Sequence, residues 1–338
     1  MQNNNRTTNL ILIFLLFFFQ NIFSQFDVKL NFESGIYSDS LKNFNETLNS
    51  INRLGGLVKY SYAQDSSESS FLLRAGSDFY KNNVYAIKLN SSINYSLHSS
   101  EITWKGLISY NYNSYNYNST NYSYNIFTLI GGADFQVRNF PINLLVGYSN
   151  QNLQLQNNIY YDLIFLDCST AETISNFLSL EYGFLLQNFS VNDNLSDAKS
   201  VSIQGWNYGP KLKINHIKDL LLNLTYKFLF YNSNRTSHPS FEHQIEFVSG
   251  TFLSKNLSLF LFADFVLRKL NFVNSFSKEN TIFFIPSKSE NQIALRIMYS
   301  FSNIIKPYLK FGYFNDDLFI PNNKLSGLSL LGGIEVKF

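Results

Sequence analysis

Glu242 and Glu246 stand four residues apart, and a pair of carboxylates is the arrangement in this chain closest to acid–base machinery. In a strand both side chains fall on one face, but at about 3.3 Å per residue they lie roughly 13 Å apart, too far to share a proton. A second carboxylate would have to come from a neighbouring strand. Hydrolysis by a nucleophile needs a His within reach of a hydroxyl and an acid, and only His238 and His243 of the four histidines lie near one another. His98 and His216 fall in expected turns, His243 sits in the apolar row of Phe241, Ile245 and Phe247, and Ser237 and Ser240 are unspecific neighbours of His238. There is no Gly-x-Ser-x-Gly, no phosphate-binding loop and no metal-ligand spacing. The lone Cys168 excludes an intrachain disulfide and a cysteine metal cage, and reads as a free thiol. No enzyme activity, cofactor or metal is therefore expected.

What remains is a set of charges that share one side of alternating segments: Arg74, Asp78, Lys88, Lys105, Glu181, Lys227, Glu242, Glu246, Asp264, Arg268, Arg296, Lys310 and Glu335. Their signs are mixed and nearly balanced. On a hydrated inner face they either pair across strands and fill the interior or line a water-filled path.

The elements that would carry them are strands. Phe26, Val28, Leu30 and Phe32 alternate with Asp27, Lys29, Asn31 and Glu33, and the same period of two returns at Leu220–Phe230 and Ile293–Phe301. The pattern predicts strands near 26–36, 55–63, 70–80, 84–97, 100–112, 122–137, 141–149 and 152–165. It continues at 173–187, 200–214, 219–232, 241–253, 256–269, 289–302, 305–315 and 326–338. That makes about sixteen, or fourteen if one hairpin is lost, with short even-numbered gaps and longer odd-numbered ones at 37–54, 113–121, 188–199, 233–240, 270–288 and 316–325. Within 200–214, Val201 and Ile203 are odd whereas Trp206, Tyr208, Leu212 and Ile214 are even, which predicts a bulge at Gly205. In 37–54, Leu41, Phe44, Leu48 and Ile51 have the spacing of a short amphipathic helix.

Composition agrees with a sheet that meets lipid. Hydrophobic residues make up 45%, aromatic 17% and charged only 15%, against about 25% charged in soluble domains. The predicted strands are long enough to cross a bilayer when tilted, and rows ending in Trp104, Tyr110, Tyr112, Phe135 and Tyr148 provide aromatic girdles. A net charge of +2 gives no reason to expect nucleic acid as a partner. Residues 1–24 read as a signal peptide, with Arg6, an apolar run from Leu10 to Phe19, and a cut after Ser24, leaving 25–338 as one domain.

The final segment alternates Leu328, Leu330, Gly332, Ile334, Val336 and Phe338 with Ser329, Leu331, Gly333, Glu335 and Lys337. Behind a secretion signal, it resembles the closing strand of bacterial outer-membrane β-barrels, whose last aromatic residue is read by the barrel-insertion machinery. The richness in Asn, Lys, Ile, Phe and Tyr and the Ser-Gln at the signal's end resemble outer-membrane proteins of Bacteroidota. The resemblance implies an all-β fold, an antiparallel up-and-down transmembrane barrel, and Phe338 as insertion signal. It implies a place in the outer membrane of a Gram-negative bacterium after signal cleavage, with outer-membrane lipid as surroundings.

The first strand begins almost at the cut, so no plug domain is expected ahead of the barrel. The general porins fold a long acidic loop into the channel between strands five and six; here that connection is short and is a Tyr/Asn tract spanning 110–125. The reading is a passive, weakly selective pore for small solutes. The alternative is a closed structural barrel that binds a partner or surface glycan through external loops, the Tyr/Asn tract foremost.

Overall fold

The computed structural model describes residues 26–41, 47–80, 85–117, 120–138, 140–154, 158–193, 201–272, 291–317 and 324–338. The signal peptide reading falls outside them. Sixteen strands follow one another: β1 Phe26–Leu41, β2 Thr47–Gln64, β3 Ser67–Tyr80, β4 Tyr85–His98, β5 Ile102–Tyr117, β6 Thr120–Val137, β7 Phe140–Gln154 and β8 Asn158–Ser175. The second half comprises β9 Leu178–Asp193, β10 Val201–Ile217, β11 Leu220–Ser233, β12 Thr236–Phe252, β13 Leu257–Phe272, β14 Gln292–Tyr299, β15 Ile305–Asp317 and β16 Lys324–Lys337. Each pairs antiparallel with its sequence neighbours, and β1 pairs with β16 from Lys29↔Lys337 to Leu41↔Leu325, so the sheet closes on itself. A closed sheet leaves no edge with unpaired backbone groups, which is what makes strands tolerable in lipid.

Period-two alternation sorts the faces. Phe32, Leu54, Ile164, Leu267 and Leu309 stand exposed on the outside of the closed sheet. The other parity points inward, as contacts between strands two apart establish: Lys211 of β10 reaches Asp167 of β8, and Tyr308 of β15 reaches Glu33 of β1. Side chains converge that way only on the concave face. Among the described residues no helix is long and apolar enough to cross a membrane; strands do any crossing.

Four expectations change. The predicted helix in 37–54 is absent from its described part: Leu41 ends β1, Leu48 and Ile51 belong to β2, and Phe44 lies outside the described residues. Most of 113–121 and 233–240, and the described part of 188–199, is also strand, since backbone pairing continues into polar sequence where no apolar contrast marks it. The segment placed at 152–165 begins in β7, which runs to Gln154, and continues in β8, which meets β9 at a turn at 176–177, because Leu163–Leu166 is apolar on both faces and hides the alternation. No bulge occurs at Gly205: β10 keeps one register against β9 from Val201↔Asp193 to His216↔Leu178. The ladder slips instead between Ser237 and Phe241, where Pro239 has no N–H to donate, and between Thr173 and Ser175.

Candidate functional site

The thirteen charges picked from the sequence all occupy the inward parity, and the closed sheet gathers part of them into three networks. On β1–β4, Arg53 lies 3.4 Å from both Glu33 and Asp78, and Lys88 lies 2.6 Å from Asp78. Tyr308 donates its hydroxyl to Glu33 at 2.8 Å, the Arg296 guanidinium sits 3.8 Å over the Tyr308 ring, and Arg296 pairs with Glu335 at 3.2 Å. The Tyr308 ring can lie flat there because its register partner is Gly333: a Cβ at Gly333 would come 2.5 Å from the ring. Phe165 over Gly147 and Phe260 over Gly250 repeat the device. Such pairs keep bulky rings against the wall rather than across the lumen.

A second network is held by β8–β10. Lys211 bridges Asp167 at 2.8 Å and Glu181 at 3.0 Å, and Lys213 lies 3.8 Å from Glu181. Nearer the short-turn rim, Lys105 pairs with Asp134, which also accepts from Asn143 at 2.5 Å. The third network is buried. Glu242 is 0% exposed and bonds Arg268, Gln244 and, at 3.2 Å, the Tyr231 hydroxyl. Glu246 instead lies 3.9 Å from Lys227, so the two glutamates have separate partners and form no dyad. Asp264 accepts from Gln292 at 2.8 Å. Arg74 and Lys310 complete the set without an acid within ion-pair distance among the described residues.

Above the third network the lumen is apolar. Tyr124, Ile126, Leu153, Ile159, Tyr161, Leu185, Phe189, Val191, Ile203, Leu229 and Tyr231 form one buried cluster on the inner face of β6–β11, toward the long-gap rim. Phe189 stacks on Tyr161 at 6.3 Å and tilts against Tyr231 at 6.1 Å. The odd-numbered Ile203 that mimicked a bulge is a member of this cluster, so a lumen contact explains the change of phase.

Sequence reading missed Glu33, Arg53, Asp167, Lys211 and Lys213. Arg53 and Asp167 lay outside the predicted strands, whereas Lys211 and Lys213 lay in one, opposite the row of Leu212 and Ile214, and were not selected. Glu33 was in the right strand and on the right parity, but only the closure to β15 gives it a partner.

The histidines are dispersed. His98 lies 3.2 Å from Thr103 and 3.9 Å from Glu68, all at the exposed rim, and the latter distance exceeds a hydrogen bond. His216 bonds the Leu220 carbonyl at 2.7 Å, and His243, facing outward, bonds the Tyr226 hydroxyl at 2.8 Å. Cys168 is free and exposed, in a shallow outer furrow of about 710 Å³ lined by Tyr182, Phe184, Pro210 and Tyr226. Phe338 donates its backbone N–H to Val28 at 2.9 Å, extending the closing ladder.

No family model and no curated protein matches this chain. Among solved structures it is similar to bacterial outer-membrane barrels. The Pseudomonas putida toluene transporter TodX aligns at 9% identity and a TM-score of 0.42, over 92% of this chain and 89% of that one. Acinetobacter baumannii OccAB3 aligns at 8% and 0.40, over 93% and 100%. The siderophore receptor PirA of Pseudomonas aeruginosa aligns at 10% and 0.37, over 93% and 80%. Likeness at this level carries no argument about what this chain conducts or binds.

Proposed function

We propose that this chain is an outer-membrane barrel that forms a passive, weakly selective pore for small solutes. The observation that carries the reading is the accessibility of ionised side chains on the inner wall beneath an apolar outer one. The side chains of Lys88, Lys105 and Asp134 are each 40% exposed, and that of Glu246 is 50% exposed. Ionised groups facing inward at that exposure call for water in the lumen, because burying them would cost several kcal/mol each. Barrels of about this strand number hold an aqueous channel unless something fills it. Large apolar side chains such as Phe32, Leu54, Ile164, Leu267 and Leu309 stand exposed around the outer face, where soluble proteins rarely expose large contiguous apolar patches, which supports lipid as its surroundings. The same reading takes residues 1–24 as a cleaved export signal and Phe338 as the residue offered to the insertion machinery. Purified protein in planar bilayers should give ohmic conductance steps. Bilayers that stay sealed around folded barrel, verified by its heat-dependent gel shift, would overturn the pore.

The apolar cluster favours a second reading, a closed interaction barrel that meets a partner or glycan through the β5–β6 hairpin. Deleting 113–121 would then abolish capture of that partner while leaving the barrel folded; unchanged capture sinks this reading.

A further inference from the structure

We propose that the pore prefers anions, small carboxylates and phosphates among them, and that the preference is set by cations on the β14–β4 side of the inner wall. This rests on the pore reading and adds a sign and a location to its selectivity. On the opposite side every inward cation is matched: Lys105 with Asp134, Lys211 with Asp167 and Glu181, Lys213 with Glu181, Lys227 with Glu246, and Arg268 with Glu242. Those pairs contribute little net field. On the β14–β4 side the acids beyond the short-turn rim are already taken, and Glu68 at that rim meets only His98, at 3.9 Å. Asp27 serves Lys29 and Lys337, Glu33 and Asp78 serve Arg53, Asp78 also holds Lys88, and Glu335 serves Arg296.

Four cations are left over there. Among the described residues, Lys59, Arg74, Lys306 and Lys310 have no acid within the 4.0 Å ion-pair limit. Their positions make a staircase. Lys306 is next to the first residue of β15 at the short-turn rim, Lys59 and Lys310 lie further along β2 and β15, and Arg74 is midway along β3. Arg74 faces Leu57 and Asn90, and Lys310 faces Arg296 and Leu331, so neither has an acid in register. Lys59 and Lys306 have Asp27 and Glu335 as register neighbours, but those acids lie within ion-pair distance of Lys29, Lys337 and Arg296 instead. The steps are a few residues each, roughly 7–13 Å of strand. That is comparable to the screening length of about 8 Å at physiological salt, so the fields of successive steps overlap. Low-dielectric walls concentrate such a field in the water between them, which raises the local density of anions. An anion crossing the lumen passes from one uncompensated cation to the next without having to break an existing ion pair.

The test is the reversal potential of the full-length barrel in planar bilayers under a potassium chloride gradient. Chloride should permeate roughly threefold better than potassium at 0.1 M salt, and the ratio should fall towards one at 1 M, where the screening length is about 3 Å. Replacing chloride with inorganic phosphate or acetate should keep the anion preference. The quadruple variant K59Q/R74Q/K306Q/K310Q should conduct with the ratio at or below one. Arg74→Gln alone, a change at an exposed side chain, should lower the ratio partway and keeps the test usable if the quadruple variant does not fold. Conductance with potassium favoured, or with a ratio of one that ignores salt, overturns the inference and leaves the pore intact. Sealed bilayers around folded barrel overturn the pore and the inference together.

Discussion

The inner wall solves the same problem in two ways at similar depth. On β6–β11, toward the long-gap rim, inward positions are Tyr, Ile, Leu, Phe and Val, packed against one another around Phe189. On β1–β4 the corresponding region holds Glu33, Arg53, Asp78 and Lys88 in a chain of ion pairs whose cations are partly exposed. The difference shows in how each side treats a carboxylate. Glu242, beneath the apolar cluster, is fully buried and has Arg268, Gln244 and Tyr231 around it. Asp78 is nearly as buried, at 4% exposed, but its two cations reach outward, the Arg53 side chain 33% and the Lys88 side chain 40% exposed. In a dry region an unmatched charge is costly, so charges are few and fully bonded; in a wet one surplus charge is tolerated and sets a field. One half of the lumen is built like a protein core, the other like a channel wall.

Four substitutions and a labelling experiment bear on that contrast. Phe189→Ala removes the centre of the cluster and should cost about 3–5 kcal/mol, read from the urea midpoint of the folded barrel. If the cluster narrows the lumen, single-channel conductance should rise in the same variant; unchanged conductance would mean that solutes pass wholly along the charged side. Arg268→Leu strands Glu242 and should cost about 3–5 kcal/mol, whereas Arg74→Leu should stay within about 0.5 kcal/mol. Equal costs for the two arginines would erase the distinction between dry and wet sectors. Gly333→Leu pushes the Tyr308 ring off the wall and should cost about 1–3 kcal/mol. It should also narrow the charged side, so conductance falls where Phe189→Ala raises it. Cys168 tests the assignment of faces with no change in sequence. In proteoliposomes a membrane-soluble maleimide should label it and a charged, water-soluble one should not; the reverse result would put this parity inside and invert every assignment above.

How far the fold was legible depends on contrast between neighbouring residues. Alternation of Phe26, Val28, Leu30 and Phe32 with polar residues marks a strand because successive side chains point to opposite faces, one apolar and one polar. It stops marking one where both faces turn polar, which is why Thr47–Leu54 of β2 and the ends of β5 and β6 at the long-gap rim read as loop. It also fails where the lumen itself is apolar. Ile203 broke the alternation without breaking the strand, and Leu163–Leu166 blurred the start and end of β8, so Asp167 was lost from the candidate set. The candidate charges were legible as a parity class and not as networks, because Glu33–Tyr308 and Asp167–Lys211 join strands that are not register neighbours.

The sequence by itself determined the strand number, the two faces and the short-turn rim, since each is written in residues two apart or in adjacent hairpins. Only the tertiary structure decided which charges neutralise one another, which are left free and where the lumen is dry. Those properties depend on closure of β1 onto β16, which brings together side chains hundreds of residues apart. No local pattern encodes that meeting, because the strength of an ion pair depends on distance and burial across the lumen, and both are set only once the sheet is a cylinder.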